Sequence, residues 1–264
     1  MSNSKFSEKF MNSSSLLPPI FLGTTFLFLW ELCVIYFQVP NYLLPKPTSI
    51  FQALWNNKIR FFHASCVTMG ITLCAIFLSA FLGSVLSILL FWNKKLEKSL
   101  SPFLILLQIT PIISIIPLLI IWFKSNTIVT LIICSCICSL FPIISSMNTG
   151  LKQTDKSLAM IFQLYGASRW KKLLKLDLPS ALPYFLNGLQ ISSALALIGC
   201  ISAEFIAGSG GRNSGIAYEL LMAGYNLQTD ILFAALFVIT GLGLILHFLF
   251  GWVQKLDSSR FPSG

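Results

Sequence analysis

The chain has 264 residues, a formal net charge of +9, 55% hydrophobic residues and only 10% charged ones, with a mean hydropathy of +0.80. A water-soluble domain carries about a quarter charged residues, so this composition excludes one and points to a helical integral membrane protein. The positive charge is then a matter of topology and lipid contact, not of nucleic-acid binding.

Residues 1–15 are polar and rich in Ser and Asn, and read as a loose cytoplasmic tail. Crossing a bilayer takes about 20 apolar residues of helix. Six stretches meet that need: 16–39, 63–92, 103–123, 127–147, 184–207 and 231–253. None shows the ten-residue alternation of a membrane barrel. The expected fold class is therefore all-α integral membrane, with six transmembrane helices. Polar and charged residues precede the first stretch and no small-residue cleavage site follows it, so it reads as an uncleaved helix. The expected segments are the tail (1–15), a first transmembrane helix with its outer loop (16–62), a transmembrane core (63–253) interrupted by a polar loop (154–183), and a cytoplasmic C-terminal tail (254–264).

Lys and Arg set the orientation. With the N-terminus inside, thirteen bases fall on the inner side and five (Lys46, Lys58, Arg60, Lys124, Arg212) on the outer side. Both termini and the 154–183 loop are thus expected in the cytoplasm.

The first span carries Glu31, which burial in lipid would penalise unless it pairs with other groups or acts in function. After it, Thr48 or Ser49 can cap a short helix on the outer surface. The second span places Ala75, Ser79, Gly83 and Ser87 at four-residue spacing, a small-residue stripe for close helix packing. The third holds Pro111 and Pro117 beside Gln108, Thr110 and Ser114. Either the prolines merely kink it, or its irregular backbone lines a solute path. The fifth repeats the small-residue pattern at Gly188, Ser192, Ala196 and Cys200, then reaches Glu204. Two readings stand for Glu204: a pathway or gating group, or a structural pair or hydrogen-bonded cap. The seven cysteines lie in or at the edge of apolar spans, and the two histidines, His63 and His247, are far apart in the chain. No metal site is expected.

The 154–183 loop is built like two short helices. Leu158, Ile161, Phe162 and Tyr165 form one helical stripe, with Thr154 or Asp155 as its cap and Gly166 at its end. Ser168 can cap a second helix with Trp170, Leu173 and Leu174 on one side, and Pro179 forbids its simple continuation. A basic amphipathic segment lying on lipid and a docking element for a cytoplasmic protein both fit this pattern.

Gly166-Ala167-Ser168 and Leu176-Asp177-Leu178-Pro179, with nine residues between Gly166 and Leu176, resemble the EAA loop of ABC importer permeases. That family's Glu-Ala-Ala falls on Met160, Ile161 and Phe162 here, so the family's carboxylate is missing and a more apolar contact is implied. Leu44-Pro45-Lys46-Pro47 is similar to a Leu-Pro-Ser-Pro turn in permeases for nitrate, sulfonates and taurine. The third span resembles a Pro-x-Pro…Trp-Phe-Gly stretch with Lys124 at the Gly position. Glu204 precedes Gly208-Ser209-Gly210-Gly211 as in the family, with Arg212 and Asn213 inserted before Ser214-Gly215.

The resemblance covers about 43–260. It implies a type I, MetI-like permease of the bacterial inner membrane with cytoplasmic coupling helices. The residues that would couple to an ATPase are Leu158, Ile161, Phe162, Tyr165, Gly166, Ala167, Ser168, Trp170, Leu173, Leu174 and Pro179. The implied partners are an ABC ATPase subunit, a solute-binding protein, a second copy of the permease and the lipid bilayer, with no nucleic acid. The chain contains no GxxxxGK[ST] loop, so ATP and Mg are expected on the ATPase and no cofactor on this chain. The implied solute is small: nitrate, a sulfonate, taurine, bicarbonate or a pyrimidine precursor. A secondary carrier would show a repeat relating two halves, and a membrane scaffold could use the same loop without transport; co-purification with an ATPase separates the importer from both.

Overall fold

The computed structural model describes residues 13–123, 126–207 and 214–258. The described residues form helices and turns only. In chain order these are α1 (Ser13–Tyr36), α2 (Pro47–Asn56), α3 (Lys58–Trp92), α4 (Lys94–Ile109), α5 (Ile112–Trp122), α6 (Thr127–Lys152), α7 (Lys156–Leu164), α8 (Arg169–Lys172), α9 (Leu178–Ala207), α10 (Ile216–Tyr225) and α11 (Thr229–Ser258).

Four helical stretches are long and apolar enough to cross a membrane: Lys58–Trp92, Thr127–Lys152, Arg169–Ala207 and Thr229–Lys255. The described apolar part of α1, Ile20–Tyr36, is shorter. The expected third span is not one helix. α4 and α5 meet at 95° and count as a fifth span only if taken together. Among the described residues four or five stretches thus meet the length and apolarity of a span, against the six expected. The break has a local cause. Pro111 lacks an amide proton and drives the residue before it out of the helical region, and Thr110 sits at φ −63°, ψ 124°. The Thr110 hydroxyl turns back to the Leu106 carbonyl at 2.7 Å.

The chain divides into two compact units. One comprises residues up to Ile59 together with Leu220–Leu236. In it Glu31 accepts hydrogen bonds from the Thr48 amide (3.1 Å) and hydroxyl (2.8 Å), at the start of α2. The expectation that Thr48 or Ser49 would cap this helix is corrected. Lys46 occupies the cap position and the carboxylate from α1 supplies the acceptor. The Trp30 and Phe233 rings lie 5.8 Å apart.

The other unit comprises Arg60–Glu219 and Phe237–Gly264. Its principal helix pair is α6 against α9. All eight small residues of the two stripes are buried. A Cβ on Gly83 would lie 2.8 Å from Ile143, and one on Gly188 2.7 Å from the Ser146 Cβ. The Ser192 hydroxyl donates to the Ser139 carbonyl at 2.7 Å, and the Ser79 and Ser139 hydroxyls lie 2.6 Å apart. Both stripes therefore converge on α6, where small side chains let backbones approach and hydroxyls bridge them.

Candidate functional site

The interruption between α6 and α9 is a structured elbow. Asp155 caps α7, its carboxylate accepting from the Ser157 amide at 2.7 Å. α7 ends in a left-handed stop at Gly166, φ +62°. There the Ala167 amide reaches the Phe162 carbonyl and the Gly166 amide the Gln163 carbonyl, both at 3.0 Å. These bonds satisfy carbonyls that the helix end leaves over. Ser168 then caps α8 through the Lys171 amide.

Pro179 does not stop the second helix. α8 runs through a π-helical turn, Leu173–Asp177, directly into α9. The wider turn resets the ladder, so Pro179 stands at the second position of α9, where its missing donor is not needed.

The two halves of the elbow differ in exposure. α7 buries no residue, and Leu158, Met160 and Ile161 are exposed along it. Leu164 and Tyr165 are each 86% exposed at its tip, while Phe162 is half-buried. Leu173 was expected on the docking face and is corrected. It is 1% exposed and packs with Met147, Leu151 and Ala181, anchoring the elbow to α6 and α9. Trp170 remains 60% exposed yet sets one edge on Trp92 at the end of α3, ring centroids 4.4 Å apart and planes at 85°. Leu174 faces out, Ala167 and Pro179 are half-buried, and Asp177 is buried with the Lys172 ammonium 3.9 Å away. Trp92 had no signal in the sequence beyond ending an apolar run.

Gln108, Thr110, Pro111, Ser114 and Pro117 are brought together around the α4–α5 break, and all are exposed. Glu204 shares no hydrogen-bond partner with them. It is 2% exposed, and its Oε1 accepts from the Thr68 hydroxyl at 2.8 Å while its Oε2 accepts from the Ala217 amide at 3.1 Å. Thr68 in turn accepts from the Ile216 amide at 3.0 Å. The carboxylate and the hydroxyl together satisfy the first amides of α10. Residues 208–213, the Gly-rich stretch with Arg212 and Asn213, lie outside the described residues, as does Lys124. Among the described residues, no cluster of His, Cys, Asp or Glu could hold a metal ion.

Long apolar helices interrupted by one structured elbow define a multi-pass membrane protein. The chain belongs to the family of binding-protein-dependent transport system inner membrane components, which matches residues 75–256. It is 30% identical over 251 residues to the formylaminopyrimidine transport permease protein ThiX of Halalkalibacterium halodurans, covering 93% of this chain and 95% of the relative. It is 29% identical over 239 residues to a probable ABC transporter permease protein of Haemophilus influenzae, covering 90% and 95%. Among solved structures, the MetNI methionine ABC transporter in an inward-facing conformation matches with TM-score 0.62 at 17% identity, covering 75% of this chain and 95% of that one. The fold is thus that of MetI-type permeases, and the chain is an ABC importer permease subunit, a multi-pass membrane protein of a family that works with ATPase and binding-protein partners.

Proposed function

We propose that this permease couples ATP hydrolysis by a partner subunit to the import of a small solute, and that the elbow is where the coupling is made. The observation that carries this is the exposed apolar tip, Met160, Leu164 and Tyr165, on a segment whose other half is locked into the core. An apolar groove on the ATPase is the complement of that tip. No carboxylate stands at Met160, so the grip is by burial of apolar area, worth about 25 cal/mol per Å², and not by an ion pair.

In this reading the elbow and both termini are cytoplasmic, as the Lys and Arg distribution supports. Two copies of the permease pair, and the exposed polar break at Gln108, Thr110, Pro111, Ser114 and Pro117 lines the solute path between them. Backbone irregularity inside a membrane is tolerated where it faces protein or a water-filled cavity. The solute is of the nitrate, sulfonate, taurine, bicarbonate or pyrimidine-precursor class, and the identity to the formylaminopyrimidine permease supports the last of these. ATP shifts the permease between two states only if they differ in affinity for the ATP-closed partner.

Gly166→Val tests the elbow's part. Nothing lies within 4 Å of a Cβ at Gly166, so the change acts through backbone conformation and not through a clash. A β-branched residue forced to φ +62° costs about 1–3 kcal/mol, which re-aims α7. Uptake and solute-stimulated ATP hydrolysis should both fall while membrane insertion is unchanged. Undiminished coupled hydrolysis would reject the assignment.

A further inference from the structure

We infer that Trp92 is a positioning residue for transport: it passes movement of the elbow to α3, which carries it to the far end of the helix bundle. The inference rests on the elbow being the ATPase contact.

The elbow connects to its neighbours in two ways. α6 leads into it and α9 leaves it without a break, so both are joined to it covalently. α3 is remote in sequence and meets the elbow through side-chain packing. Trp92 and Trp170 meet edge-on, and Ile88, Phe91 and Trp92 pack against the cluster around Leu173. Trp170 lies just beyond the Gly166 turn, between the exposed α7 and the anchored π-turn. Along the chain, Trp170 is thus met between the exposed tip at Leu164 and Tyr165 and the buried Leu173.

α3 is one continuous helix from Lys58 to Trp92. At 1.5 Å per residue, Trp92 and Thr68 are about 36 Å apart along it. Thr68 is the residue that holds Glu204 and the first amide of α10. One continuous helix thus carries the elbow contact at Trp92 and the Glu204–α10 junction at Thr68. Between them Ser79, Gly83 and Ser87 hold α3 close against α6, the two hydroxyls bonding across to Ser139 and the Ile144 carbonyl. Packed interfaces of this kind switch between discrete arrangements by small shifts.

The test uses the full importer, permease with its ATPase and binding protein, in proteoliposomes. Solute taken up per ATP hydrolysed is compared for the wild type, Trp92→Ala and Trp92→Phe. Trp92→Ala should keep the ATPase bound and its basal hydrolysis unchanged, and lower uptake per ATP by about two- to ten-fold, the range expected for losing one aromatic edge contact. Trp92→Phe, which retains a ring edge, should recover at least half of the loss. If Trp92→Ala does not assemble, Trp92→Leu keeps apolar bulk without the ring and carries the same expectation. Unchanged uptake per ATP in the Ala or Leu variant overturns the relay, and so does a Phe variant as poor as Ala. A wild-type complex that hydrolyses ATP without moving solute overturns the importer reading and the relay with it. A coupled wild type with an equally coupled Trp92→Ala overturns the relay alone.

Discussion

The carboxylate of Glu204 lies against the backbone of Gly215 with no room for a side chain between them: a Cβ on Gly215 would overlap both carboxylate oxygens. Gly215 is the last residue before α10, and the carboxylate it admits serves the second residue of that helix. Gly215→Ala must therefore push Glu204 away from Ala217, from Thr68, or from both. The expected cost is about 1–3 kcal/mol, that of an overpacked buried site. The thermal midpoint of the purified protein should fall accordingly. A midpoint equal to that of the wild type would mean the junction is slack.

Replacement of Glu204 itself separates a capping role from a role in carrying solute. Glu204→Ala leaves the Ala217 amide buried without its acceptor, at a cost of about 1–3 kcal/mol. Glu204→Gln keeps one carbonyl oxygen, which can serve that amide while the side-chain amide NH2 donates to the Thr68 hydroxyl oxygen in place of the present bond from Thr68. The Gln variant should therefore retain most of the stability and most of the uptake, and the Ala variant should lose both. A stable Gln variant without uptake would instead place the charge in the transport step. Thermal midpoints and uptake, measured on the same preparations, decide between them.

Glu31 makes the same kind of bond in the other compact unit, reaching the Thr48 amide and hydroxyl at the start of α2. Lys46 at the cap position provides no side-chain acceptor, so Glu31 is the substitute for an ordinary cap, which is worth about 1 kcal/mol. Glu31→Ala should loosen α2, and amide exchange should speed up over the first turn of Pro47–Asn56 while the elbow is unaffected. Protection unchanged at Thr48 would remove the assignment.

Much of this was readable from residue spacing alone. Four-residue stripes at Ala75–Ser87 and Gly188–Cys200 report a helix face whatever the partner, because the period belongs to the helix. The Asp155 cap, the Gly166 stop and the Ser168 cap are local backbone chemistry and were equally plain. What failed depended on geometry beyond the local pattern. Pro179 signals that the helix cannot simply continue, but a π-helical turn, the form the interruption takes, leaves no compositional mark. The third span kept a kink and a break both open because a proline that kinks a helix and one that breaks it by 95° have the same sequence. Glu204 kept two readings open because its partner, Thr68, lies 136 residues away, and Leu173 looked like its exposed neighbours on a helix that turned out to have its back to the core.

Close packing of α6 against α9 predicts opposite responses to one substitution at two glycines. Gly188 sits where a Cβ would lie 2.7 Å from the Ser146 Cβ and 3.0 Å from the Pro142 carbonyl. Backbone on one side and a short side chain on the other can yield little, so Gly188→Ala should destabilise the protein by about 1–3 kcal/mol. Gly70, in the middle of α3, has nothing within 4 Å of an added Cβ. There Ala relieves the entropic cost of glycine in a helix and should be neutral or stabilising by up to about 1 kcal/mol. Denaturation midpoints of the two variants, in the same detergent, should move in opposite directions from the wild type or leave Gly70→Ala unmoved. A tolerated Gly188→Ala would mean that the two helices can separate locally, and that the stripe is not what holds them together.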